Sequence, residues 1–321
     1  MSSDSVERLN LGLMAGVCIA AFAFPFQLFL FAYAILGPLH YLTEISWLHD
    51  HDYFAPRRTA RRLWLAVVAA ATAVLLYGFV SSEMLDRPVP PTMEIAMVYL
   101  VFAGAAMLVF VRHAVNAVAL LIVTAAVIAL STGARAYALL AYFIVTIIHV
   151  LIFTAAFVLH GALKRKSAAA MWGLAVFTGC IVSFFVFSFV PAAGAPESLR
   201  KVYAFFEPLN VQLMALFGMG GGVYESRGGV AVMRLIAFAY TYHYLNWFSK
   251  TSIIRWHHVP HGRAVAIVAS WAAAIALYLY DYALGLSFLY LLSLLHVLLE
   301  FPLNHKTFAG IGTELRALAR A

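Results

Sequence analysis

Apolar positions in this chain neither alternate nor recur on one helical face. They run on for about 20 residues at a time, the length an α-helix needs to cross ~30 Å of hydrocarbon. Nine such runs stand out, at 11–36, 63–80, 93–111, 115–130, 137–159, 171–190, 230–254, 264–280 and 284–301. Pro25 lies inside the first and predicts a kink, with the helix continuing through His40 and Glu44. The separating stretches are short, except for 197–227. That stretch holds Phe217-Gly218-Met219-Gly220-Gly221-Gly222, which no regular span accommodates, so it is expected to be re-entrant or interfacial. No polar stretch is long enough to fold alone, and no internal repeat is visible. The pattern predicts an all-α, polytopic transmembrane bundle that forms a single integral membrane domain over 1–321.

Composition strengthens this reading. Hydrophobic residues make up 64% of the chain and charged residues 11%, against about 25% charged in soluble proteins. The formal charge of +7 does not point to nucleic acid, because the basic residues gather between apolar runs, where they set topology. Dense basic groups (Arg57, Arg58, Arg61 and Arg62; Lys164, Arg165 and Lys166; Arg255 and Arg263) alternate with acidic ones (Glu83, Asp86, Glu94; Asp281). Arg87, Arg112 and Arg135 are the exceptions, and Lys306 follows the last run. The positive-inside rule then predicts an outside N-terminus and a cytoplasmic C-terminus, in a bacterial cytoplasmic membrane. The first apolar run is too long for a signal-peptide core, so no cleaved signal is expected. Cys18 and Cys180 lie inside apolar runs without zinc-type spacing and read as membrane-buried thiols, not as a disulfide.

The candidate chemistry sits inside the apolar runs. His40 and Glu44 are four residues apart, and His296 and Glu300 repeat the spacing, which places each pair on one helical face. Two further runs carry His149 and His243. All four histidines lie roughly 10 to 17 residues before the next basic loop, on spans predicted to be parallel, so they share a depth. A carboxylate in the bilayer costs about 2.5–3.5 kcal/mol on insertion scales and usually faces a partner or a cavity. Six imidazole and carboxylate donors at one level suit non-haem iron, as one ion or two. Donors that do not bind metal would fix histidine tautomers.

His160, eleven residues after His149, and His305 form a second tier of ligands. Asn246 and Lys250 lie one and two turns from His243 and are candidates for holding an anionic group or a reduced oxygen species. The tyrosines and Trp247 around them suit a long apolar substrate and equally an interfacial belt. His49 and His51, with Asp50 and Asp52, read as polar interface residues, as do His257, His258 and His261; His113 reads as structural. Three other readings use the same residues. Histidine and carboxylate can glue helices together. Paired histidines can ligate a b-type haem, which leaves Glu44 and Glu300 unexplained. Intramembrane His and Glu can also form a metal-ion or proton-coupled transport pathway.

Four segments carry a family resemblance: Pro38-Leu39-His40 with Glu44, Ile148-His149, Tyr242-His243-Tyr244, and Leu295-His296 with Glu300 and His305. In order and spacing they resemble the histidine segments of the Brp/Blh-like membrane beta-carotene dioxygenases. The resemblance implies a non-haem iron centre, O2 as co-substrate and a hydrophobic, carotenoid- or lipid-like substrate entering from the bilayer; an electron donor is a separate expected partner if the oxidation is of another kind. The chain departs from that family at Trp247, where a second histidine is usual, and at Thr154, where an acid is usual. Pro38 also stands one residue further from its histidine.

Overall fold

Among the residues that the computed structural model describes (3–55, 57–83, 85, 87, 91–111, 114–131, 135–166, 168–190 and 195–320), every regular element is helical. Asp86, Arg112 and His113 lie outside the described residues. The helices are α1 (Ser3–Ala23), α2 (Pro25–Phe31), α3 (Gly37–Asp50), α4 (Arg58–Glu83), α5 (Pro91–Phe110), α6 (Ala114–Ser131), α7 (Arg135–Ile144) and α8 (Thr154–Arg165). They continue with α9 (Ala168–Val186), α10 (Glu197–Tyr203), α11 (Glu207–Leu216), α12 (Arg227–Ser249), α13 (Thr251–Ile254), α14 (His261–Tyr280) and α15 (Tyr282–Leu318). Two π-helical segments, Ala32–Leu36 and Ile148–Phe153, lead into α3 and α8.

Seven described helices are long and apolar enough to cross a bilayer, which marks an integral membrane protein. They are Ser5–Ala23, Pro25–Asp50, Arg58–Ser82, Thr92–Phe110, Ile148–Arg165, His261–Tyr280 and Tyr282–Leu318. Val118–Leu130 and Arg135–Ile144 form a bent pair that would add an eighth. The list differs from the nine apolar runs in four places, one of them the run at 171–190, whose helix Ala170–Val186 is too short to count. The first run is two helices. Pro25 has no backbone N–H, and Phe24 leaves helical geometry at φ −139° and ψ 56°, so the kink becomes a break. The fifth run divides near Val145 and Thr146, and its second half joins α8. The run at 230–254 is not apolar enough to count, because α12 carries Arg234, His243, Asn246 and a set of tyrosines.

The chain forms two compact units. The first comprises 1–37 and 150–255. Helix α12 is its core, contacted by α1, α2, α9 and α11 and buried on every face from Gly229 to Tyr244. A helix that is apolar and aromatic all round must be enclosed by others. Phe238 and Tyr242 stack at 5.8 Å on one side of it, and Tyr240 meets Phe29 edge-on at 5.2 Å on another. Ser226 caps its start by accepting from the Gly229 amide at 2.9 Å. The stretch 197–227 resolves into α10, a 3-10 turn, α11 and a loop. In that loop Gly218 and Gly221 adopt φ of +66° and +101°, which is why the glycine-rich stretch forms no span.

The second unit comprises 38–149 and 256–321. Its centre is α15, which packs on α4, α5 and α14. At 37 residues α15 is ~55 Å long, well beyond the hydrocarbon thickness, and it keeps Pro302 within it. Asp281 starts this helix by accepting from the Leu284 amide at 2.9 Å. Between α3 and α4, Asp52, Tyr53 and Phe54 take φ of 53°, 52° and 55° in succession. Such left-handed residues cost about 1–2 kcal/mol each. The turn is clasped from three sides, by Arg61 on Asp52, by Arg263 on Asp50 at 2.6 Å, and by the Lys306 ammonium 4.7 Å above the Phe54 ring.

Candidate metal centre

Within the second unit, α3, the residues entering the π-helical segment at Ile148, and α15 bring five donors together. His40, Glu44, His149, His296 and Glu300 are 1–2% exposed, so none is an interfacial group. The two His-x-x-x-Glu pairs sit on one face of their helices, as the four-residue spacing dictates. His149 depends on local backbone instead. It lies in a π-helical turn, where an inserted residue rotates the side chain away from its α-helical direction, and such turns recur at functional sites.

The distances decide what this cluster can do. The Nε2 atoms of His149 and His296 face each other at 3.2 Å. Neutral imidazoles can share one proton there. Two ligands on adjacent corners of one metal, each ~2.1 Å from it, stand ~3 Å apart, whereas ligands on opposite sides stand ~4 Å apart. The pair therefore fits neighbouring positions on one ion, and it is too close to sandwich a haem iron. The other nitrogen of His149, Nδ1, is 3.4 Å from Oε2 of Glu300. That arrangement suits a carboxylate that fixes the tautomer and direction of a ligating histidine. His40 Nε2 lies 3.1 Å from Glu44 Oε2, and His40 offers a ring nitrogen within 4.8 Å of one on His296.

Both carboxylates approach a histidine closely, yet Oε2 of Glu44 and Oε2 of Glu300 make no aligned hydrogen bond among the described residues. At 3.1 and 3.4 Å the two contacts are close approaches that lack hydrogen-bond alignment. Buried charged oxygens without hydrogen bonds are costly, and the donor set fits a cation that accepts imidazole and carboxylate ligands.

Tyr41 was not singled out from the sequence. Its ring stacks on His296 at 4.2 Å with the planes 22° apart, and it is fully buried. The signal was its position one residue after His40, which places it on another face of α3 from the donors.

His305 packs against Phe102 and Phe110 of α5, and its Nδ1 donates to the Phe301 carbonyl at 2.8 Å, so it turns aside from the His296 and Glu300 face. His49 faces Tyr53, while Nδ1 of His51 bonds the Trp47 carbonyl at 2.8 Å. His160, His243, Asn246 and Lys250 belong to the first unit. His160 is half-buried on α8, and Lys250 is the residue after α12. Asn246 accepts from Tyr242 at 3.5 Å, beside a bond from Ser249 to Asn10 at 2.9 Å. His243 is buried and bonds through Nδ1 to the Thr154 hydroxyl at 2.7 Å. Thr154 thus serves as a neutral partner that sets the histidine tautomer. Thr154→Val should lower stability by about 1–2 kcal/mol, read as a fall in melting temperature, while Thr154→Ser should recover most of it.

A comparison of the chain with family models, curated proteins and solved structures finds no match.

Proposed function

We propose that this chain is a membrane-embedded non-haem iron oxygenase acting with O2 on a hydrophobic, carotenoid- or lipid-like substrate. The observation that carries the reading is the convergence of three imidazoles and two carboxylates in the buried interior of the second unit. His40, His149, His296 and Glu44 would hold the iron, and Glu300 would orient His149. Iron bound by imidazole and carboxylate with open positions supplies dioxygen activation. The protein's own share is positional. Stacking by Tyr41 holds the His296 ring, Glu300 holds the tautomer of His149, and the enclosing apolar helices keep water from the reacting atoms. The resemblance of the histidine segments to the Brp/Blh-like dioxygenases supports the same chemistry. The loop charges support nine crossings, with the N-terminus outside and the C-terminus in the cytoplasm.

The test is elemental analysis with an optical spectrum on detergent-purified protein. Iron near one or two equivalents without a Soret band, followed by O2-dependent conversion of a carotenoid or unsaturated lipid, is the expected result. A Soret band, or freshly purified protein without transition metal, would overturn it. In the second case the donors would return to helix packing or to ion transport.

A further inference from the structure

Helix α15 carries a third polar group on the stripe of His296 and Glu300. Asn304 follows Glu300 by four residues, as Glu300 follows His296, so the three lie one above another with a drift of ~40° per step. Asn304 is 1% exposed, and neither Oδ1 nor Nδ2 has a hydrogen-bond partner among the described residues. Exchanging the two ends of the amide does not help, because both are unmet. Leaving such buried groups unmet is costly. The polar neighbours along the helix are already engaged. The Thr307 hydroxyl donates to the Leu303 carbonyl at 3.0 Å, and His305 donates to Phe301 at 2.8 Å. A carboxamide is also a weak metal donor beside imidazole and carboxylate, so the iron reading gives Asn304 no role.

We infer that the Asn304 amide binds a neutral hydroxyl oxygen, which donates to Oδ1 and accepts from Nδ2. A donor and an acceptor side by side call for a group that is both. A ketone or carboxylate would satisfy Nδ2 alone, and an ammonium Oδ1 alone. The oxygen comes either from an alcohol group on an apolar ligand or from an ordered water. In the first case Asn304 selects substrates that carry a hydroxyl one helical turn from the metal ligands. That placement rests on the iron reading; the binding itself does not.

The experiment uses full-length, detergent-purified wild type and Asn304→Leu, with 1-dodecanol and dodecane as probes, together with melting temperature and iron content. If the ligand brings the hydroxyl, Asn304→Leu weakens dodecanol about tenfold and leaves dodecane unchanged. If water fills the place, neither probe changes and Asn304→Leu melts lower than wild type, because the bound water is lost with its partner. Unchanged probe binding with an equal or higher melting temperature overturns the inference, since leucine would then have replaced an amide that held nothing. Should Asn304→Leu fail to fold, the dodecanol-to-dodecane ratio is read on Asn304→Ala. Absence of iron from the wild type would defeat the functional reading and leave this ratio untouched.

Discussion

His296→Ala is expected to strip the metal from the protein. His296 lies between the other donors, with Nε2 3.2 Å from His149 and a ring nitrogen within 4.8 Å of one on His40. Its loss removes a ligand and also the neighbour that limits the His149 ring. Glu300→Gln keeps the shape but exchanges an acceptor-only carboxylate for an amide, so the partner of His149 Nδ1 changes character. Outer partners of metal-bound histidines are worth about 10–100-fold in metal affinity. The expected order of iron retention in elemental analysis after dialysis against a mild chelator is wild type, then Glu300→Gln, then His296→Ala. If both variants keep iron like the wild type, the metal lies elsewhere. Tyr41→Leu gives a finer check. It preserves bulk and removes the stacked ring, so it should loosen iron less than Glu300→Gln does.

Arg234→Ala should be the most damaging substitution in the first unit. Arg234 is fully buried in α12. Its guanidinium donates to the carbonyls of Phe187 at 3.2 Å and Phe189 at 2.9 Å, just past the end of α9. It also lies over the rings of Phe189 and Phe22, at 4.3 and 4.9 Å. One side chain therefore ties α12, α1 and the exit of α9. Truncation leaves a cavity and removes the donors from two part-buried carbonyls, which together cost about 2–5 kcal/mol. Arg234→Met separates the two effects, because it restores volume without the donors. The expected melting temperatures fall in the order wild type, Met, Ala. A methionine variant as stable as wild type would show that Arg234 acts by filling space alone.

How far the chain could be read without its fold depends on the kind of signal. Long apolar runs report burial in lipid directly, because the bilayer imposes a minimum length on any span. The helical class and the membrane setting were legible for that reason. The four-residue spacing of His40 with Glu44 and of His296 with Glu300 was legible too, because helix periodicity alone makes each pair share a face. Pro25 was read as a kink and stands at a break. The residues showed where the helix is weakened, but how far it opens depends on what the neighbouring helices cover. The run that forms α12 was read as one span. Its polar and aromatic residues lower its apolarity, and only enclosure by α1, α2, α9 and α11 explains how it is buried all round.

By itself, the sequence determined that this protein is helical and lies in a membrane, and which histidines share a helical face with an acid. These properties follow from local periodicity and transfer free energy, which need no partner. The tertiary structure alone decided that His149 meets His296 and Glu300, that Tyr41 stacks on His296, that His305 turns toward α5, and that Asn304 is buried with both ends of its amide unmet. Each of these depends on the rotation of one helix against another. A π-helical turn or a shift in packing can change that rotation by a large angle while the sequence spacing stays the same.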